Sequence, residues 1–169
     1  MSRCHLSCGL FGAIIILALS GCGKGGSPKD ATDWSYSPPD GFKQQDKQVK
    51  GATVFIGPTD DGFRSNLQVL SGTNPKETAK DVADLALKKA TATGNITVKE
   101  QEAYTVPDSD AYTWLIEKRL ANGKNAEQRQ FVVMKNGVAV LFTMTAAESA
   151  MPKYDQALAD SIQTFKWGK

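Results

Sequence analysis

A stretch of about fifty residues after Gly94 constrains the fold of this 169-residue chain more than any other feature. Apolar and polar residues alternate along it, as expected of strands with one buried face. Asn136-Gly137 favours a type I′ hairpin, because both residues tolerate a positive φ. The pattern predicts an antiparallel meander whose last strand, apolar on nearly both faces, is central in the sheet. The predicted strands are Ile96–Val106, Ala111–Leu120, Gln128–Met134 and Val138–Thr145.

Two helices and an earlier hairpin complete the predicted architecture. Asn74 as N-cap and Pro75 at the first helical position predict a helix that runs to about Ala92. Ser149 is a suitable N-cap for a closing amphipathic helix. We therefore predict an α+β fold: an antiparallel sheet of six or seven strands with hairpin connections, flanked by two main α-helices. The earlier hairpin comprises Ala52–Ile56, stopped by Gly57-Pro58, and Phe63–Leu70.

The first 33 residues carry targeting information. Arg3 and the apolar run from Leu10 to Gly21 provide the positive start, the short apolar stretch and the small residues of a secretory signal. The run is shorter than the roughly 20 apolar residues that span a bilayer. Small and polar residues follow Cys22, which predicts a flexible tether that holds the domain about 15–20 Å from a membrane. We predict a signal peptide over 1–21, a tether over 22–33 and a single globular domain over 34–169.

Leu19, Ser20, Gly21 and Cys22 resemble the lipobox of bacterial lipoproteins. The resemblance implies cleavage after Gly21 and a diacylglycerol, with acyl chains such as palmitate, on the Cys22 sulfur. A thiolate is the nucleophile that can carry such a lipid. The mature protein is then expected to be anchored to a membrane of the bacterial cell envelope, facing periplasm or exterior, and to the outer membrane if the host has one. The alternative is ordinary secretory cleavage, with Cys22 incidental.

Composition excludes several functional classes. Loss of Arg3 with the signal leaves one basic residue fewer than the chain's 20, against 18 acidic residues, so the mature domain is close to neutral. Such a balance argues against nucleic acid as a partner. Because His5, Cys4 and Cys8 also leave and Cys22 carries lipid, the domain cannot form a disulfide, a serine–histidine triad or a histidine metal site. We expect no cofactor and a monomeric state.

The order of elements and a set of turn and core residues resemble the PsbP/Mog-like fold, of the DcrB/LpqN type in bacterial lipoproteins. The resemblance implies an antiparallel sheet sandwiched by helices. It also implies a largely non-enzymatic protein that binds other proteins or complexes, without a shared catalytic motif. The residues that carry it are Pro39-Asp40-Gly41-Phe42, Phe55-Ile56-Gly57-Pro58, Asp61-Gly62-Phe63, Asn66-Leu67-Gln68-Val69, Asn136 to Thr143, and Tyr154 with Ser161, Ile162 and Phe165.

Four aromatic residues are candidates for a binding surface, because exposed rings on a sheet form hot spots for protein or ligand binding. Packing of these rings in the core is the alternative. The candidates are Trp34, Tyr36, Tyr112 and Trp114.

Two acidic turns could offer oxygen ligands to calcium or magnesium. They contain Asp60-Asp61 and Asp108 with Asp110. Neither turn has the six or more oxygen ligands of a dedicated calcium site, whereas aspartates in turns commonly bond the local backbone. We predict no catalytic residue and no metal site.

These features together favour a membrane-anchored, non-enzymatic envelope lipoprotein that binds an envelope protein or a small ligand. One alternative is an enzyme that uses carboxylates on cell-wall glycan. A second is a structural surface lipoprotein without a specific ligand, against which a large exposed apolar patch would argue.

Overall fold

The computed structural model describes residues 34–45, 52–73, 77–92, 94–120 and 123–168. The predicted signal peptide, the lipidation site Cys22 and the tether therefore lie outside the described residues. The helices are α1 (Ala79–Thr91) and α2 (Met151–Gln163). The strands are β1 (Trp34–Ser35), β2 (Lys43–Gln44), β3 (Ala52–Asp60), β4 (Phe63–Thr73), β5 (Ile96–Tyr104), β6 (Asp110–Arg119), β7 (Asn125–Lys135), β8 (Val138–Ala147) and β9 (Lys166–Trp167).

The described strands form one large sheet and one short ribbon. The large sheet has seven strands in the order β2-β3-β4-β8-β7-β6-β5, and every neighbouring pair is antiparallel. Strand β8 is the fourth of the seven, and it buries Phe142 on one face and Leu141 on the other. The predicted fold class and the predicted central strand are thereby confirmed. The ribbon pairs β1 with β9, opposing Trp34 to Trp167.

The two helices pack on opposite faces of the sheet and create two apolar cores. The buried alanines of α1, including Ala83, allow it to lie close to Trp114 and Leu141 over strands β5 to β7. The other helix, α2, packs Leu158 and Ile162 on the face that carries Phe142, mainly over β7 and β8. The helices are thus offset. On its side of the sheet α2 covers β5 and β6 less than β7 and β8, and on the other side α1 lies over β5 to β7 and away from the β3–β4 end.

Strand β3 does not stop at Gly57-Pro58 as predicted. It continues to Asp60, and its register against β4 shifts between Ile56 and Thr59. This β-bulge accommodates Pro58, which has no N–H to donate to a ladder.

Helix α1 begins later than the sequence predicts. Residues 74–76 lie outside the described residues, and the N-cap is Thr78, whose side chain accepts a hydrogen bond from the backbone N–H of Asp81. The carboxylate of Asp81 accepts from the backbone N–H of Thr78 in return, at 2.9 Å, and completes a capping box. The start predicted at Asn74 is therefore wrong, because the reciprocal pair of Thr78 and Asp81 stabilises the first turn. Gly94 follows the helix with a φ of 78°, as expected for a helix stop.

The capping box predicts a pH dependence of stability. The hydrogen bonds from the backbone and then the side chain of Thr78 lower the pKa of Asp81 below 3.8. A carboxylate with a lowered pKa stabilises the fold above its unfolded-state pKa, and this contribution disappears as pH falls through the folded-state pKa. We therefore expect Asp81→Asn to reduce the free energy of unfolding at pH 7, and the difference from wild type to shrink as pH falls below 3.8 and through the lowered folded-state pKa.

Urea unfolding at a series of pH values measures this difference. Asp160→Asn on α2 is the matched control, since the exposed Asp160 accepts a hydrogen bond from the side chain of Gln156, one turn away on the same helix. A difference between Asp81→Asn and wild type that stays constant with pH would contradict the role assigned to the cap.

Helix α2 also differs from its predicted start. A 3-10 turn, Glu148–Ala150, precedes it, and the N-cap Ala150 makes no side-chain capping bond. The hydroxyl of Ser149 instead donates to the carboxylate of Asp61 across the fold. Pro152 lies in the first turn, as predicted.

Candidate functional site

The four predicted binding aromatics do not share one exposed surface. Trp114 is 1% exposed and lies in the core beneath α1, so it offers no ring for a partner to contact. Tyr112 is partly buried beside the same core. Trp34 and Tyr36 pack against the other core, on the α2 side of the sheet. The even-numbered residues of β6 face α1. The Trp114 ring is therefore buried beneath the helix and is not part of an exposed surface.

Trp34 and Tyr36 anchor the N-terminal segment of the described chain. The Trp34 ring stacks on Phe165, with ring centroids 6.1 Å apart, and the Tyr36 ring meets Phe142 edge-on at 5.0 Å. The Nε1 of Trp34 and the hydroxyl of Tyr36 are buried and have no hydrogen-bond partner in the described structure. Burial raises the pKa of Tyr36 well above its ordinary value. These rings hold the segment on the core.

A band of charged side chains occupies the sheet surface that α2 leaves open. We call it the charged band. It contains six carboxylates and two cations, and it spans β5, β6 and β7 from the 3-10 turn to α2. Its members are Lys99, Glu100, Glu102, Glu117, Glu127, Arg129, Glu148 and Asp155.

Lys99 organises one end of the charged band. Its Nζ lies 2.7 Å from Glu127, 2.9 Å from Glu117 and 3.7 Å from Glu148. Hydrogen bonds to Glu127 and then to Glu117 raise the pKa of Lys99. The three carboxylates have oxygens within 4.8 Å of one another, which is a spacing suitable for metal ligands. The ammonium group bonds two of them and supplies the compensating positive charge that a metal ion would otherwise bring.

Arg129 organises the other end. Its side chain is 6% exposed, and its Nε and Nη2 donate to both oxygens of Asp155 at 2.8 and 2.9 Å. Nη2 also donates to Glu100 at 2.5 Å. Burial lowers the pKa of Arg129, but the hydrogen bonds to Asp155 and Glu100 outweigh it and leave a net increase. The guanidinium therefore ties α2 to the edge strand β5 through a bidentate pair.

A shallow cleft of about 160 Å³ opens beside Arg129. Glu102 and Tyr104 line it from the edge strand, and Gln156 lines it from α2. With six carboxylates against two cations, the charged band is negative and suits a positively charged partner.

Three of the four turn aspartates, Asp60, Asp61 and Asp110, accept hydrogen bonds within the chain. Asp60 accepts a hydrogen bond from the hydroxyl of Tyr154 at 2.5 Å, and Asp110 accepts from the backbone N–H of Ala79 at 2.7 Å. Burial and then the bond to Asp60 raise the pKa of Tyr154. Asp61 and Asp108 adopt positive φ angles of 51° and 54°, which aspartate tolerates better than most residues. These carboxylates thus stabilise turns and tertiary contacts.

The described residues offer a partner few large apolar side chains on the surface. Leu85, at 39% exposure, is the large apolar side chain that the described residues leave exposed. None of the described helices is long and apolar enough to cross a membrane.

The sequence reasoning missed the charged band. The pattern that could have revealed it is Glu127-Gln128-Arg129-Gln130 in an otherwise apolar strand, since a glutamate and an arginine two residues apart share one face. All four residues are less than a tenth exposed.

The sheet, its two offset helices and the topology define a PsbP/Mog-like α+β domain. No family model and no curated protein matches the sequence. Among solved structures, this chain is similar to LpqN of Mycobacterium tuberculosis, which is involved in cell envelope biogenesis. The TM-score is 0.63 and the sequence identity is 12%, over 80% of this chain and 83% of LpqN.

Two further structures share the fold. Cyanobacterial PsbP from Synechocystis sp. PCC 6803 has a TM-score of 0.55 and 19% identity over 88% of this chain and 99% of that one. The Saccharomyces cerevisiae Ran-binding protein Mog1p has a TM-score of 0.58 and 9% identity over 80% of this chain and 90% of that one. At these identities the likeness establishes the fold.

Proposed function

We propose that this protein is a lipid-anchored, non-enzymatic accessory protein of a bacterial cell envelope, which binds a partner protein through the charged band. The lipobox-like sequence ending at Cys22 supports the anchor. Similarity of fold to LpqN, a protein of cell envelope biogenesis, supports the location. The Ran-binding protein Mog1p has the same fold, which supports a role in binding another protein.

The charged band is the observation that carries the proposal. It lies on strands that α2 leaves open, and Glu100 and Glu148 keep about half of their side-chain surface exposed. Since Leu85 is the large apolar side chain exposed among the described residues, recognition there relies on charge and hydrogen bonds. Such surfaces increase association rates and select partners by charge. The partner is therefore a protein that presents lysine or arginine side chains.

The attachment of the tether fits this role. β1 follows directly on the predicted tether, and its pairing with β9 joins the start of the domain to its last strand. The edge-on contact of Phe165 with Trp167, at 5.0 Å between ring centroids, packs β9 against the α2-side core. A lipid on Cys22 would thus be connected to the domain through β1, which pairs with β9 beside the α2-side core.

Replacing the lipidated cysteine tests the anchor. We expect the wild-type chain from native membranes to begin at Cys22 and to carry added acyl mass, because the lipobox cysteine receives the lipid. Cys22→Ala is expected to lose the acyl mass and to leave the membrane fraction. Intact mass spectrometry and membrane fractionation measure both. A wild-type protein that is released without lipid would refute the anchor.

Charge reversal tests the binding surface. We expect Glu100→Lys combined with Glu102→Lys to weaken capture of the envelope partner about tenfold, since each rim charge contributes on the order of 0.5–1 kcal/mol to association. Quantitative pull-down from solubilised envelopes at two salt concentrations measures the effect. Asp84→Lys on the exposed face of α1 is the matched control, and it should leave capture unchanged. Equal losses in both variants would exclude the charged band as the binding surface.

A further inference from the structure

A second polar surface lies on the other side of the sheet, beyond the reach of α1. Six side chains with uncharged hydrogen-bonding groups form two rows across β4, β8 and β7, and we call this surface the amide face. The first row is Asn66, Thr145 and Gln128, and the second is Gln68, Thr143 and Gln130.

The amide face satisfies only part of its hydrogen-bonding capacity. Gln128 donates to Thr145 at 3.1 Å, and Gln68 donates weakly to Asn66 at 3.4 Å. The side chain of Gln130 makes no hydrogen bond within the described part of the chain, although the residue is 6% exposed. Among the described residues, the fully buried polar side-chain atoms without a partner belong to Trp34 and Tyr36, so the amide of Gln130 reaches solvent. An amide in the middle of a sheet that forms no hydrogen bond within the described chain is available to a ligand.

The first row ends in a positively charged groove. Lys43 and Ile56 continue the row of Asn66 to the sheet edge, where a groove of about 380 Å³ opens. Lys43 and Arg64 line the groove, none of its lining residues is acidic, and neither cation has an ion pair among the described residues. The groove and the amide face thus lie next to each other on one side of the sheet, and Asn66 and Thr143 are the more exposed members of the amide face.

Gly57 and the bulge in β3 shape this groove. A Cβ on Gly57 would lie 2.6 Å from the ring of Phe42 and 2.5 Å from the hydroxyl of Ser65. Glycine therefore allows the β3 backbone to lie close against the core. This close approach makes the sheet edge concave at the groove.

We infer that the amide face and the groove bind an anionic glycan. Primary amides and hydroxyls both donate and accept, as sugar hydroxyls require. They recur across the sheet at the strand spacing of about 4.8 Å, which suits a chain of sugar rings. Lys43 and Arg64 suit the carboxylate or phosphate groups of such a chain. This inference depends on the proposed envelope role in one respect, which is that the envelope is where the protein would meet such a glycan.

Binding of defined oligomers to the purified full-length chain tests the inference. The probes are a galacturonate hexamer, the neutral chitohexaose and a polyglutamate peptide. Wild type is expected to bind galacturonate more tightly than either of the others. Gln130→Met with Thr143→Val removes two hydrogen-bonding groups at nearly constant volume, and it should weaken galacturonate binding about tenfold. Gln163→Met on α2 removes an amide elsewhere and should change nothing.

Lys43→Gln with Arg64→Gln provides a second variant, at two exposed positions. It should weaken galacturonate binding and reduce its dependence on salt, while binding of chitohexaose stays unchanged. The inference is overturned if galacturonate does not bind, if the Gln130 and Thr143 variant binds it like wild type, or if polyglutamate binds equally well. These assays contain no membrane and no partner protein. A negative result would therefore not refute the lipid anchor or partner binding by the charged band, and failure of those two proposals would not refute glycan binding.

Discussion

Trp114→Ala is expected to lower the free energy of unfolding by about 3–5 kcal/mol, the range found when a large buried aromatic side chain is deleted. Trp114 is 1% exposed, and it packs beneath α1 with Ile116 and Val132. The alanines of α1 are too small and too rigidly placed to fill the space that the indole leaves. Urea unfolding followed by circular dichroism measures the loss.

The same variant separates packing from binding. The folded fraction of Trp114→Ala should capture the partner as well as wild type does, because the ring contacts no surface. Tyr112→Ala is the matched control on the same strand, and it should cost less stability because Tyr112 is only partly buried. Unchanged stability together with loss of partner capture would restore Trp114 as a binding residue.

Arg129→Leu is expected to reduce the free energy of unfolding by about 2–3 kcal/mol. Removing one member of a buried ion pair costs about 3–5 kcal/mol when the remaining charge is fully buried. The effect should be smaller for this residue, because Asp155 keeps 31% and Glu100 56% of its side-chain surface exposed. The loss arises because α2 and β5 are no longer joined through the guanidinium. Urea unfolding at neutral pH measures it.

Glu100→Gln is the matched control for this prediction. It leaves the bidentate contact of Arg129 with Asp155 intact, and an exposed ion pair contributes roughly 0–1 kcal/mol. If Glu100→Gln costs as much as Arg129→Leu, the bond to the edge strand, rather than the bond to α2, is the stabilising contact.

The sheet could be predicted because its determinants are local. Alternation from Ile96 onward, with turns such as Asn136-Gly137, determines the positions of the strands and the hairpin order. Strand β8, apolar on both faces, could be placed centrally because only a central strand is covered on both sides. The start of α1 was less predictable, since Asn74 and Thr78 both satisfy the rules for an N-cap.

Apart from the polar residues of β7, the members of the candidate surfaces could not be predicted, because they come together from parts of the chain that are far apart in sequence. Lys99 meets Glu127 and Glu148 only when β5, β7 and the 3-10 turn are in place. Asn66 and Gln128 reach the same row only through the pairing of β4, β8 and β7. From the sequence, Trp114 was also a candidate for an exposed aromatic residue. The alternating pattern of a strand cannot tell which of its two faces a helix will cover.

The sequence by itself determined the two helices, the strands of the meander, the order of hairpins and the α+β class, because backbone preferences and apolar periodicity act over a few residues. Tertiary structure decided which side chains remain available to a partner. The offset of α1 and α2 leaves opposite corners of the sheet open, and long-range register then places the charged band on one side and the amide face on the other. Such placement depends on packing between elements, which no local pattern encodes.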